Sequence, residues 1–385
     1  MWYMMFIAAD CAITALLFVY SSIISYRDNW QAMDYIAVFL PFFATSIFFS
    51  SVLWPRGLIP RNAGPFVLGA VNVVCFAGIG VILTFTESPV AWSVSLGIAG
   101  LFRPYNTAFI AYFGFSDKSA ALFTALCRLR TLFENIGFIT AALAAFYAFH
   151  FIGDGDAVTV IALFIVIVVT IPVAYLSASD KRFGFYRPAA KQTNLESPEA
   201  RMALRSVLVQ SFLVELVRYS LISYGFIVLL TRVYYVPALL PVALCISAVA
   251  SFFCSTVLYN RIGLAIAACV FSYALQLIID FSAGVDSSYL FIPYVIASAG
   301  LSLISHVPLT RLHGVVTAAK IANTSFVALE LTAIHLGAAV GCLLTVAIYK
   351  WFACPLYAIY VAVLVYMQLN EKRIEGEIRG LQVLP

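Results

Sequence analysis

Long apolar runs separated by short polar segments make up most of the chain. Runs bounded by charged residues, glycine and proline predict twelve spans. The first six are 3–25, 33–54, 65–86, 90–113, 121–149 and 157–178, and the second six are 205–231, 236–258, 263–282, 288–309, 315–347 and 350–369. A membrane-crossing helix needs about 20 apolar residues, so the pattern predicts an all-α polytopic membrane protein with 12 transmembrane helices.

Positive charge is distributed unevenly between the two ends of these spans. With the N-terminus placed in the cytoplasm, the outer loops hold only Arg27, Arg232 and Lys350 of the 22 Lys and Arg residues, and most of the others fall in cytoplasmic segments. Cytoplasmic loops carry such an excess in helical membrane proteins. A wrong helix count would scramble the asymmetry, so we predict that both termini are cytoplasmic.

The longest polar stretch, 179–204, divides the predicted spans six and six. We therefore predict two pseudo-symmetric six-helix bundles, 1–178 and 205–370, joined by a cytoplasmic linker, 179–204. A cytoplasmic tail, 371–385, follows them. Equal halves joined in this way are a common construction in transporters.

Composition narrows the class further. Of the 385 residues, 63% are hydrophobic and only 10% are charged, with a formal net charge of +4. These values exclude a soluble enzyme, a disordered protein and a nucleic-acid-binding protein. The eight cysteines show no metal-ligand spacing, so no metal and no cofactor is predicted.

Ionisable residues inside the spans are the candidates for chemistry, because such a residue costs at least about 2.5–3.5 kcal/mol at the bilayer centre. Arg103 and Glu134 each lie about 12 residues into spans 4 and 5, or about 18 Å deep. Since those spans are antiparallel neighbours, we predict an ion pair near the midplane. It either binds substrate or a coupling proton, or it is a permanent pair that fixes helix packing.

Span 7 carries a second pair. Glu215 and Arg218 lie three residues apart on one helical face. They either contribute to a site or neutralise each other locally. Tyr219 follows directly and adds a hydroxyl and a ring face for an organic ligand.

Two further carboxylates complete the candidate set. Glu330 lies mid-way along predicted span 11 with no positive partner in that span. Burial favours the protonated form of a carboxyl, so Glu330 is a candidate for proton coupling, with a neutral hydrogen-bonded group as the alternative. Asp10 in span 1 either belongs to the site or caps a neighbouring hydroxyl. Gly337 and Gly341 in span 11 predict close helix packing.

The layout resembles the major facilitator superfamily. The six-plus-six arrangement, the basic loops after spans 2 and 8, and Arg103 in span 4 all match that family's pattern. The loop 54–61 lacks the family's aspartate, and the glycine-rich antiporter motif of span 5 is absent. A narrower likeness is to reduced folate and thiamine carriers, and it rests on 108–112 (Ala-Phe-Ile-Ala-Tyr) and on Asn323, Thr324, Phe326, Ala328 and Thr332. Phe109 replaces that branch's glutamate, and Glu330 stands about where some members carry a lysine.

The resemblance implies a secondary active transporter that moves a small organic solute by alternating access. It leaves open a proton as the coupling ion and a vitamin such as folate or thiamine as the substrate. The expected protein is a monomer in contact with lipid in the plasma membrane. A non-transporting sensor or scaffold derived from a transporter is one alternative. An intramembrane enzyme is another, but the chain has no His-Glu-x-x-His or Gly-x-Ser-x-Gly motif, so no enzymatic activity is predicted.

Overall fold

The computed structural model describes part of the chain. The described residues are 32–53, 88–101, 125, 129, 132–137, 139–140, 143, 198–224, 239–257, 261–282, 289, 291–304, 307–318, 324–348 and 354–383. Regular structure within these ranges is entirely helical, with no β-strand, as the fold class predicts. The predicted spans 1, 3 and 6 lie outside them. The count of twelve spans and the cytoplasmic placement of the termini therefore stay predictions.

The long helices follow the apolar runs. In chain order they are α1 (Ala32–Phe48, continued by a π-helical turn, Phe49–Leu53), α2 (Pro89–Leu101), α3 (Pro198–Tyr224), α4 (Leu239–Val257), α5 (Ile262–Phe281), α6 (Phe291–Ser302), α7 (Val307–Ala318), α8 (Thr324–Ile348) and α9 (Cys354–Val383). Local signals set some of the ends. Ser88 caps α2, where its Oγ accepts a hydrogen bond from the Ala91 N–H at 3.2 Å. Pro89 and Pro198 occupy first helical positions, which suit a residue without an N–H.

Predicted span 10 is broken into two helices. α6 ends at Ser302, and short i→i+3 hydrogen bonds follow, from the Leu303 N–H to Gly300 and from the Ile304 N–H to Leu301, both at 3.2 Å. α7 then begins at Val307 and ends at Ala318. The prediction of one span over 288–309 is therefore wrong. Predicted span 11, 315–347, begins instead at Thr324, because residues 315–318 belong to α7.

Helices α3 and α9 are longer than predicted. α3 begins at Pro198, within the predicted linker, and α9 continues to Val383, through most of the predicted tail. Thirty residues of α9 measure about 45 Å, well beyond a hydrocarbon core of about 30 Å. The apolar run ends near Leu369, but buried Ile374 and Leu381 continue the stripe of Leu364 and Met367 at helical spacing. Charged residues on its other face carry the helix onward.

The extension of α9 is tied to neighbouring helices by a buried arginine. Arg311 of α7 is 8% exposed, and its Nη1 donates to Gln210 Oε1 of α3 at 2.6 Å. Its Nη2 lies 3.3 Å from Glu371 Oε1 of α9. One guanidinium therefore joins three helices, and we call these residues the Arg311 cluster. The contact of Gly314 with Ile378 extends this packing further along α9.

α3 is the central helix of the described structure. It packs against α6, α7, α8 and α9, and α8 in turn packs against α1. The largest fully buried side chains are Trp92, Tyr357, Tyr360, Phe42, Phe43, Leu96, Leu221 and Leu303. α5 and α8 each contain an apolar window, Ile262–Ile279 and Ala328–Thr345, with the length and composition of a membrane span. Large apolar side chains on α5, such as Phe271 and Ile278, are exposed, as expected of a lipid-facing surface.

Two glycines allow α8 to approach α3 closely. A Cβ added at Gly337 would collide with the Phe212 backbone carbonyl, and one at Gly341 would collide with the Leu216 carbonyl. Helix association in lipid depends on such close fit, since lipid tails are as apolar as the side chains. The predicted role of these glycines in helix packing is confirmed.

We expect Gly337→Ala to destabilise the protein by about 1–3 kcal/mol, because the added methyl forces α3 and α8 apart. Gly376→Ala is the matched control, since a Cβ there meets nothing within 4 Å. That variant should be neutral or slightly stabilising, because alanine is the better helix former. Thermal unfolding in detergent measures both variants. Equal stability of the two would show that the close approach is not tight enough to matter.

Candidate functional site

The predicted site residues divide into those that the structure describes and those that it does not. Asp10 and Arg103 lie outside the described residues. Glu134 belongs to the helical segment 132–137 and is half-buried. The Arg103–Glu134 ion pair therefore stays a prediction. The other four candidates lie on α3 and α8.

One face of α3 carries its polar residues. At 100° per residue, Ser211, Glu215, Arg218 and Tyr219 fall on one side of the helix, and buried apolar residues such as Val217 occupy the other. We call these four residues the polar face of α3. It is built by side chains at i, i+4, i+7 and i+8, a spacing that aligns them along about two turns.

Glu215 and Arg218 form the ion pair that their spacing predicts. Arg218 Nη1 lies 3.3 Å from Glu215 Oε1. The Glu215 side chain is 9% exposed, whereas the Arg218 side chain is 34% exposed. The pair is therefore asymmetric, with the carboxylate enclosed by protein and the guanidinium reaching toward open space.

Glu330 is buried between α3 and α8. It is 2% exposed, and its Oε1 accepts a hydrogen bond from Ser211 Oγ at 3.3 Å. Because α8 begins at Thr324, Glu330 lies in its second turn rather than at the middle of a longer span. Ser211 was not recognised from the sequence, since the two residues are 119 positions apart and no local pattern links them.

The polar face and α8 both contact the N-terminal half of the chain. The ring of Tyr219 packs edge-on against Phe43 of α1, with ring centroids 5.2 Å apart. Ser50 Oγ, in the π-helical turn that follows α1, lies 3.1 Å from Thr332 Oγ1 of α8. Glu215, Arg218, Tyr219 and Glu330 are therefore grouped where the two predicted halves meet.

The π-helical turn gives Ser50 its position. The Ser50 hydroxyl lies 2.9 Å from the Ser46 carbonyl oxygen as well as near Thr332. Turns of this kind are rare and often occur at functional sites. Sequence reasoning did not single out Ser50, because a serine in an apolar run gives no indication that the helix widens there.

α2 holds α1 in place from the other side. Thr45 Oγ1 donates to the Gly97 carbonyl at 2.8 Å, and Ser46 Oγ donates to the Gly100 carbonyl at 2.7 Å. A Cβ at Gly100 would collide with the Phe42 carbonyl. These contacts fix the register of α1, which presents Phe43 and Ser50 to the opposite half.

The described residues contain no group of three or more His, Cys, Asp or Glu side chains that could hold a metal ion. The groups available for chemistry are instead one ion pair, one enclosed carboxyl, hydroxyls and aromatic rings. Such groups bind organic solutes and protons, and none of them is arranged as a nucleophile with an adjacent base.

Solved structures with a similar backbone are transporters. The peptide transporter POT in complex with sulfate matches with a TM-score of 0.67 at 12% identity, over 98% of this chain and 95% of that chain. The human organic anion transporter MFSD10 (TETRAN) matches with a TM-score of 0.60 at 13% identity, over 95% and 96%. The chain has the fold of these membrane transporters.

This likeness agrees with the predicted resemblance to the major facilitator superfamily at the level of fold. It gives no support to the narrower likeness to folate and thiamine carriers. Comparison of the sequence with family models and with curated proteins gives no match. At 12–13% identity the backbone likeness carries the fold alone, and activity has to be argued from the site.

Proposed function

We propose that the protein is a secondary active transporter that moves a small organic solute across a membrane by alternating access of its two halves. The observation that carries the proposal is the position of Glu330 and the polar face of α3. These polar groups lie where α3 and α8 meet α1 of the other half, in a fold shared with solved transporters over 98% of the chain. Solute sites of such transporters lie near the midplane between the halves.

Contact strengths support movement between the halves rather than within one. The Ser50–Thr332 hydroxyl pair contributes about 1 kcal/mol, and the Phe43–Tyr219 ring pair contributes about 0.5–1.5 kcal/mol. Both can break and reform as the halves rock. In contrast, α3 and α8 approach each other so closely at Gly337 and Gly341 that they move as one unit.

Glu330 supplies the proposed coupling to protons. A charged carboxylate enclosed at 2% exposure is costly, whereas the protonated form is not. Conformations that enclose Glu330 therefore favour its protonated form, and conformations that open it to water favour release of the proton. Ser211 stabilises either form, because a hydroxyl both donates and accepts hydrogen bonds.

Reconstitution into liposomes tests the transport proposal directly. Purified protein is first screened for solutes that raise its melting temperature, across vitamins (folate and thiamine included), amino acids, sugars and drugs, since a bound ligand stabilises by mass action. Radiolabelled hits are then offered to proteoliposomes with and without a pH gradient. Gradient-driven accumulation supports the proposal. Binding without flux in either direction would favour the sensor or scaffold alternative.

A further inference from the structure

We infer that the Glu215–Arg218 pair is the recognition site for a zwitterionic amino-carboxylate solute. The solute's ammonium takes the place of Arg218 beside Glu215, and its carboxylate takes the place of Glu215 beside Arg218. The inference rests on the proposed function, because it names the substrate class of the same site.

The pair lies at the depth and on the face that a solute site requires. Glu215 lies ten residues beyond Arg205, the preceding charged residue on α3, or about 15 Å along the helix, which is half of a hydrocarbon core of about 30 Å. Arg205 is exposed. Tyr219, on the same face, touches Phe43 of the opposite half. The ion pair is therefore near mid-membrane and directed toward the space between the halves.

The pair is loosely closed. Its N–O distance of 3.3 Å exceeds the 2.7–2.9 Å of a short charge-assisted hydrogen bond, and one guanidinium nitrogen makes the contact. The Arg311 cluster provides the comparison within this chain. Arg311 is 8% exposed and bonds to two other helices, as expected of an arginine that fixes packing. Arg218 is 34% exposed and pairs with Glu215 on its own helix, so a solute can reach it.

Charge balance selects a zwitterion over a simple ion. A cation that displaces Arg218 leaves a guanidinium without its carboxylate, and an anion that displaces Glu215 leaves the reverse. An uncompensated charge inside a bundle is strongly unfavourable. A solute with both an ammonium and a carboxylate replaces one ion pair with two, and the site stays neutral throughout. Tyr219 and Phe43 beside the pair supply apolar ring surface for the rest of the solute.

Equilibrium binding to the purified full chain tests this inference. The probes are α-amino acids, dipeptides and betaines, each measured beside the amine that lacks its carboxylate and the acid that lacks its ammonium. Phenylalanine, phenethylamine and 3-phenylpropionate form one such set. We expect at least one zwitterion to raise the melting temperature, and to bind about tenfold or more tightly than both of its singly charged analogues. Failure of every zwitterion, or equal binding of an analogue, overturns the inference.

Two single variants add a readout that a purely structural pair would not change. Glu215→Gln should weaken binding of the zwitterion by about tenfold or more and shift preference to the acid, because Arg218 then remains alone. Arg218→Gln should shift preference to the amine. Glu377→Gln on α9 is the matched control, since it alters another intrahelical ion pair, with Arg373 at 2.9 Å, away from the polar face. An unchanged order of preference in both single variants counts against the site.

The charge-swapped variant Glu215→Arg with Arg218→Glu decides the case where a single variant does not fold. It keeps a neutral pair, so a structural role predicts unchanged melting temperature and unchanged binding, whereas a recognition role predicts weaker binding at unchanged melting temperature. Flux separates the inference from the proposed function. A zwitterion that binds but is not transported contradicts the transporter, and a transported solute with no zwitterion binding contradicts only the inference.

Discussion

Glu330→Gln is expected to reduce proton-driven solute uptake by at least about tenfold while leaving exchange of solute across the membrane intact. Glutamine has the shape of the protonated carboxyl and still accepts the hydrogen bond from Ser211. It cannot release a proton, so the pH gradient no longer drives the cycle. Proteoliposomes loaded with solute measure exchange, and empty ones under an imposed pH gradient measure driven uptake.

The control for this variant is Glu377→Gln, which removes a carboxylate from the extension of α9 rather than from between α3 and α8. It should retain both driven uptake and exchange. If Glu330→Gln still accumulates solute with the pH dependence of the unmodified protein, then Glu330 does not carry the proton. Its burial would then have to be explained as packing alone.

A disulfide between Ser50→Cys and Thr332→Cys is expected to lower transport by about tenfold or more, with recovery on reduction. The hydroxyl oxygens lie 3.1 Å apart, which brings the β-carbons near the separation that a disulfide needs. The bridge would hold α8 against the π-helical turn of the other half and block the rocking motion. The experiment requires a background in which the eight native cysteines are replaced.

The matched control is the pair Ser247→Cys and Ser298→Cys, whose hydroxyls are 2.6 Å apart within one half. A bridge there should leave transport unchanged, because α4 and α6 move together. Mass spectrometry of the linked peptides establishes that each bridge has formed. Full transport with a complete Ser50–Thr332 bridge would mean that this contact does not open during the cycle.

Elements marked by local sequence signals were predictable. α4 and α5 were expected at 236–258 and 263–282, and they span Leu239–Val257 and Ile262–Phe281. Between them, Arg261 interrupts the apolar pattern. The Glu215–Arg218 ion pair was predictable for the same reason, since three residues along a helix fix the geometry without knowledge of the rest of the fold.

Features that depend on distant contacts were not predictable. The break after Ser302 lies within an apolar run that reads as one span, and the outcome depends on how α6 and α7 pack against α3. The continuation of α9 depends on Arg311, which meets Glu371 from 60 residues away. The contacts of Glu330 with Ser211 and of Thr332 with Ser50 likewise join segments that no periodicity relates.

The length of α9 makes the C-terminal half observable from outside the membrane. From Leu369 to Val383 the helix projects for about 21 Å, anchored by Arg311 and by the buried Ile374 and Leu381. It therefore acts as a rigid lever, and a tilt of about 10° at its base would displace its tip by about 4 Å. A fluorophore on a cysteine at Gly380, where a side chain meets nothing within 4 Å, would convert each turnover into a distance change readable by energy transfer.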